Sequence, residues 1–194
     1  GESGLMGSVY ATYQNIPLHE NPSSDWDMIS TYIEDQNDIQ TTLAPIINDL
    51  IIMKDANGAI YWPSIPIYSL DNINTNDAYA IKTFDSNELT IYGDFIQPEN
   101  IMFEFQDWNF ISYPRYYSES VETVFDDIIN DVQLLKDDHG ALFWPELGIN
   151  TIITMEPGEG YILKTPENPI TFFFPSNSDY VEDIYGNSYS GRFG

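Results

Sequence analysis

The sequence predicts a β-rich α+β protein built from two tandem homologous units, each running strand, helix, β-hairpin and further strands. Three observations predict it: an internal repeat without gaps, hydrophobic periods that change in the same order within each copy, and turn residues between the periodic segments. Shifting the chain against itself by 82 residues aligns 26–83 with 108–165. "IIND" at 46–49 returns at 128–131, "KDANGAIYWP" at 54–63 returns as "KDDHGALFWP" at 136–145, and "AYAIKT" returns as "GYILKT". The four tryptophans fall into two equivalent pairs, Trp26 with Trp108 and Trp62 with Trp144, and the four lysines do the same, Lys54 with Lys136 and Lys82 with Lys164. The implied divisions are an N-terminal segment 1–25, a first unit 26–97, a second unit 98–175 and an extended C-terminal tail 176–194.

Each unit opens on a strand. "WDMISTYI" and "WNFISYP" alternate apolar and β-branched residues, and the preceding segments "SVYATYQ" and "IMFEFQ" each predict one strand more. Helical spacing comes next in the second copy, where Val121, Val124, Phe125, Ile128, Ile129 and Val132 form one stripe. Ser118 or Ser120 serves as its N-cap, and Glu119 and Glu122 suit the positive end of its dipole. In the first copy Ile39, Leu43, Ile46, Ile47 and Leu50 keep the stripe. Pro45 there lacks a donor and belongs in a first turn, so a shorter helix is predicted.

The repeated lysine motif then reads as a hairpin. Asn57 and Gly58 both tolerate positive φ and suit a tight turn, with His139 and Gly140 in their places in the second copy. Pro157 and Gly158 in "EPGEG" suit the centre of a type II turn. Strands at 79–82, 89–92, 161–164 and 170–174 complete the units. In a chain so poor in cations, confining every lysine to repeat positions implies structural partners, and Asp49, Asp55, Asp131 and Asp137 are the nearest in sequence.

Composition excludes several functions. The 31 acidic residues against 6 basic leave a net charge of −25, which repels phosphates and anionic lipid and argues against nucleic acid as a partner. No apolar run approaches the roughly 18 residues that cross a bilayer, so membrane insertion is not expected. The absence of cysteine removes disulfides, thiolate metal sites and Cys nucleophiles. High acidity with few lysines suits a salty exterior.

The residue patterns of common catalysts are also missing. Neither G-x-S-x-G nor a Walker-type glycine loop occurs, and His19 and His139 show no His-x-x-x-His spacing. His139 is expected to serve the turn in which it sits. Acid pairs such as Asp126-Asp127 and Asp137-Asp138 read as a solvated face rather than the two carboxylates of a glycosidase. No cofactor motif is present. Calcium is the candidate cation, because clustered Asp and Asn oxygens are hard ligands, although the repeated loops lack the D-x-[DN]-x-[DN]-G pattern. Trp62 and Trp144, with Tyr61 and Phe143, could form an aromatic platform for sugars, but their fixed spacing from the hairpin favours a packing role.

The pattern Trp-x-x-Ile-Ser, Ile-Ile-Asn-Asp, Lys-Asp-x-x-Gly-x-x-x-Trp-Pro and Gly-Glu-Gly-Tyr-x-x-Lys resembles a tandem repeat of secreted and surface proteins from Bacteroidetes-type and marine bacteria, and of structural proteins from some of their phages. The resemblance spans about 26–174, and "TNDAY" replaces "PGEGY" in the first copy. It implies a modular extracellular or virion architecture and no catalytic residue. The expected role is a non-enzymatic structural or adhesive module that contacts other protein subunits as a homo-oligomer or filament, with a carbohydrate-binding module as the alternative. At the ends, a three-residue glycine period in "GESGLMGS" echoes collagen-type fibres, and the tail is expected to lie extended against a neighbouring subunit.

Overall fold

The computed structural model describes residues 12–19 and 26–175, with the backbone of a short strand pair, Val181–Glu182 and Ser188–Tyr189. The glycine period at the N-terminus and most of the tail lie outside the described residues. The protein is β-rich, and its helices are short.

Chain order begins with β1 (Tyr13–Leu18), β2 (Asp27–Ile29), β3 (Ile33–Asp35) and α1 (Ile39–Leu43). It continues with β4 (Leu50–Lys54), β5 (Ile60–Trp62), β6 (Ile67–Tyr68), β7 (Tyr79–Thr83) and β8 (Asn87–Phe95). The second half holds β9 (Phe103–Phe105), β10 (Trp108–Ser112), β11 (Glu119–Ser120) and α2 (Val121–Val124). Then come β12 (Leu134–Lys136), β13 (Leu142–Trp144), β14 (Ile149–Asn150), β15 (Thr154–Met155), β16 (Gly160–Lys164) and β17 (Ile170–Phe172).

Two five-stranded antiparallel sheets dominate, ordered β2-β7-β4-β5-β6 and β10-β16-β12-β13-β14. Their registers coincide under the shift of 82 residues. Met28 faces Ala80 as Phe110 faces Ile162, Met53 faces Tyr61 as Leu135 faces Phe143, and Trp62 faces Ile67 as Trp144 faces Ile149. A strand precedes each tryptophan, β9 within "IMFEFQ" and β1 overlapping only the end of "SVYATYQ", whose residues 8–11 lie outside the described residues. β1 joins β8 and β3 in a three-stranded sheet, whereas β9 pairs with β17.

Each half has its own apolar core. Ile33, Leu43, Met53, Ile81 and Ile91 are fully enclosed in the first, and Val121, Phe125, Leu135 and Leu163 in the second. The second core is the more aromatic, with Phe103, Phe105, Phe172 and Phe174 in mutual ring contact at centroid separations of 5.1–6.2 Å. Those separations are the range in which tilted and edge-on rings attract beyond simple burial.

The helices are where the expectation fails. The stripe over 118–132 folds as a single four-residue helix, Val121–Val124, and then a 3-10 turn, Asp126–Ile128. In the first half the equivalent segment is α1 with five residues, succeeded by a 3-10 turn holding Pro45 at its start, so it is not the shorter of the two. The caps form as chemistry dictates: Ser120 Oγ accepts from Thr123 N at 3.1 Å and Asp38 Oδ1 accepts from Thr41 N at 2.8 Å. Beyond the cap of α2, however, the residues cannot propagate a helix. Val, Thr and Asp have poor propensity, and Asp126 and Asp127 carry negative charge to the negative end of the dipole. Spacings of three and four bury Val121, Val124, Phe125 and Ile128 as well on tight 3-10 turns as on an α-helix.

The hairpin loops are also wider than a two-residue turn. Only Gly58 and Gly140 take positive φ, 88° in both, while Asn57 does not. Asp55 closes its loop by accepting from Ala59 N at 2.7 Å, and Asp137 does so from Ala141 N at 2.7 Å. Thus the acid after each lysine holds the loop, with a five-residue ring of chain around it.

Where the halves meet, Met28, Ala78 and Ala80 form a small core with Trp26, Phe110 and Ile162 packed against it. Polar contacts complete the junction. Ser30 N donates to Gly158 O at 2.8 Å, Ser30 Oγ donates to Glu159 O at 2.5 Å, and Tyr113 N donates to Ser30 Oγ at 3.0 Å.

Candidate metal centre

The junction gathers both histidines of the chain with three carboxylates. His19 comes directly after β1, whose alternation buries Gln14, Ile16 and Leu18 and leaves the next side chain at the surface. Asp27 begins β2, with its side chain 8% exposed. Its Oδ1 lies 2.8 Å from His19 Nδ1, and its Oδ2 accepts from His19 N at 3.1 Å.

The second half supplies the rest. Asp138 and His139 sit on the β12–β13 loop that Asp137 holds closed, and Glu159 sits in the turn before β16. That turn forms as the Pro-Gly pair requires: Gly158 has φ 93°, and Glu159 N donates to Glu156 O at 3.2 Å. Bonds from Ser30 to Gly158 O and Glu159 O then dock the turn onto the first half.

Ligand atoms of Asp138, His139 and Glu159 lie within 4.8 Å of one another. The His19 and His139 rings meet edge to face at a centroid distance of 5.1 Å. Burial differs sharply within the cluster, for the Asp138 side chain is only 6% exposed while that of His139 is 57% exposed. Asp138 Oδ2 accepts from Met28 N at 2.7 Å. Its Oδ1 is buried without a hydrogen-bond donor, although His139 Nδ1 lies 2.7 Å away. The distance is that of a hydrogen bond but the alignment is not, so the oxygen counts as unpartnered.

The electrostatics arise from packing acids together out of water. Burial, and then the neighbouring Asp138 carboxylate, push the Glu159 carboxyl up to about 7 despite the two imidazoles. Burial also raises Asp138, partly offset by the bond from Met28 N. His19 is raised chiefly by its hydrogen bond to Asp27. Such a set of imidazole and carboxylate donors, open to solvent on the histidine side, can hold a cation.

The residues singled out from sequence are mostly elsewhere. Tyr61 and Phe143 are buried in the two cores, while Trp62 and Trp144 are half-buried on the other face of the same strands. The lysines do not pair with Asp49, Asp55, Asp131 or Asp137 in any ion pair among the described residues. Instead Lys54 Nζ lies 4.4 Å and Lys82 Nζ 6.0 Å from the Trp26 ring, Lys164 Nζ lies 5.4 Å from the Trp108 ring, and Lys164 pairs with Asp107. Asp49 Oδ2 accepts from Asn87 Nδ2 at 3.0 Å, and Asp131 N donates to Ile128 O at 2.8 Å in the turn before β12. Lys136 lines a groove of about 310 Å³ at the junction with Trp26, Lys54, Phe110 and Asp138.

Sequence spacing assigns His139 to its turn alone. It does occupy the turn, where the fold of the second half sets it beside Asp138 and Glu159, and the docking of the halves adds His19 across a sequence separation that no short motif spans. No family model, curated protein or solved structure matches this chain.

Proposed function

We propose that the chain is a non-enzymatic structural or adhesive module of two duplicated units, belonging to an extracellular or virion assembly and working through contacts with other copies of itself. One observation carries the reading. Among the described residues each five-stranded sheet ends in an unpaired edge strand, β6 or β14, and the residues at and before the two edges are exposed and apolar at equivalent positions: Ile65 with Leu147, and Ile67 with Ile149. Bare edges bearing apolar side chains are templates for strand pairing, and monomeric proteins normally blunt them with lysine or proline. Pro66 precedes β6, but every lysine of the chain lies elsewhere.

Two equivalent edges make a protomer bivalent, and repeated head-to-tail pairing gives open fibres rather than closed dimers. A charge of −25 opposes this at low salt, so association should strengthen as ionic strength rises. A salty exterior fits that requirement, as does the resemblance of 26–174 to repeats of surface and virion proteins.

The test is light scattering and negative-stain microscopy at low salt and at high salt, on the parent and on an Ile67→Lys, Ile149→Lys double variant. Salt-dependent oligomers that the double variant abolishes support the reading; a parent that stays monomeric at high concentration in both salts refutes it. Saturable binding on a glycan array, lost on Trp62→Ala or Trp144→Ala, would favour the carbohydrate-binding alternative.

A further inference from the structure

We propose that Asp138, His139 and Glu159, with His19 as the fourth ligand, bind one divalent first-row transition cation, zinc by preference, and that this ion clamps the two halves of the chain together. The donor set is the first reason. Imidazole nitrogen with carboxylate oxygen suits zinc and its neighbours, whereas calcium takes six to eight oxygens. His19 lies outside the three whose ligand atoms already stand within 4.8 Å, but its ring meets that of His139 at a centroid distance of 5.1 Å, and Asp27 Oδ1 at 2.8 Å from its Nδ1 leaves Nε2 as the nitrogen available to a metal. A carboxylate holding the far nitrogen of a ligand histidine is the usual outer arrangement of such sites.

A second, independent reason is the unpartnered oxygen. Among the described residues Asp138 Oδ1 is buried with no hydrogen-bond donor, its nearest polar neighbour being the His139 Nδ1 at 2.7 Å, on a side chain 6% exposed that belongs to the cluster whose ligand atoms lie within 4.8 Å. Donor atoms around tetrahedral zinc stand about 3.3 Å apart, given bonds of roughly 2.0–2.2 Å. The contraction needed is therefore small, and His139 stands on an exposed loop tip that can make it.

A third reason comes from the position 82 residues away. The junction holds a matching cleft of about 340 Å³, lined among others by Ala56, Asn57, Asp77 and Asn109. These are the counterparts of Asp138, His139, Glu159 and Asp27. One cleft has the ligands; in the other, alanine and asparagine replace Asp138 and His139 while the surrounding chain keeps the same course. The loop does not need His139 or Asp138 in order to fold.

That contrast supplies the test, which uses the full chain, freed of any affinity tag and stripped with chelator. Calorimetry with zinc chloride should show one equivalent binding with micromolar or tighter Kd, unaffected by millimolar calcium chloride, and thermal stability should rise with the metal. Cobalt chloride should give the visible bands of a four-coordinate nitrogen and oxygen site. His139→Asn and Asp138→Ala copy the other cleft, and Glu159→Gln keeps its shape; each should weaken zinc tenfold or more while the near-ultraviolet dichroism stays that of the parent. The proposal is overturned by an absence of saturable binding, by calcium competing at equal affinity, or by variants that retain parental affinity, which would place the ion on the acidic surface at large.

Discussion

Ser30 and Ser112 are a matched pair whose replacement by alanine should have opposite consequences. They stand 82 residues apart in equivalent strands, and each is 1% exposed. Ser30 Oγ bridges the halves, accepting from Tyr113 N at 3.0 Å and donating to Glu159 O at 2.5 Å. Ser112 Oγ is buried with no hydrogen-bond partner among the described residues. Ser30→Ala thus orphans a buried N–H and a buried carbonyl, each worth about 1–3 kcal/mol, and the low end of both gives a loss of about 2–4 kcal/mol. Ser112→Ala removes a hydroxyl that has been desolvated without return, so stability should change by less than about 0.5 kcal/mol or rise. Urea titration at pH 7 separates the two cases. With a slope of about 2–3 kcal/mol/M, the Ser30→Ala midpoint should fall by roughly 1 M and the Ser112→Ala midpoint should hold. Equal losses in both variants would refute the account of the junction as a polar clamp formed on one side only.

Two further outcomes are expected. Gly93 lies in β8 where an added Cβ would stand 1.8 Å from Glu34 O, so Gly93→Ala must push β3 away and loosen fully buried Ile33. Overpacking and weakened pairing together cost about 2–4 kcal/mol, which lowers Tm by about 5–15 °C in calorimetry; a Tm within about 2 °C of the parent contradicts the close approach. At alkaline pH, burial holds the Tyr79, Tyr113 and Tyr161 phenols well above the ordinary tyrosine range. The folded state therefore keeps protons that the unfolded chain loses near pH 10, so their contribution is whole below about pH 10 and declines above it. Absorbance in the tyrosinate band should show these three of the 14 tyrosines ionising only as the dichroism collapses, and smooth titration of all with the fold intact would contradict it.

Much of the sheet architecture was legible in the sequence because strand period and turn residues are local signals. Apolar and β-branched residues marked β2, β7, β10 and β16 as strands, although β2 and β7 are buried on both faces, and the Lys-Asp motif marked the hairpins. The helical stripe misled, since spacings of three and four are common to α and 3-10 turns, and propensity decided against the α-helix after Val124. The lysines misled as well: aromatic faces and Asp107, rather than the nearest acids, receive Lys54, Lys82 and Lys164. The metal cluster was not legible by motif because His19 and Glu159 belong to segments that meet only when the halves dock. One signal did exist. Asp138 and His139 stand where the first copy has Ala56 and Asn57, inside an otherwise well-preserved hairpin. Departures between copies of a repeat mark positions that the shared fold does not dictate.

The junction shows one physical source of such departures. When two equal units pack face to face, residues meet their own counterparts, and side chains that suit each unit alone can collide. Gly160 is the counterpart of Ala78, and a Cβ on it would stand 3.0 Å from both Ala78 Cβ and Ile29 O. A methyl group there would crowd both neighbours, so glycine in one copy lets the halves close without a shift. The same residue types then stand in different surroundings on the two sides, as with bonded Ser30 against unpartnered Ser112 and half-buried Trp26 against exposed Trp108, while residue identity itself differs in the two clefts. An ion bound in one cleft would tie β1, β2, the β12–β13 loop and the 156–159 turn to a single point. It would thereby fix the angle between the two sheet edges on which the proposed assembly rests, and removing it should loosen that angle while each core stays folded.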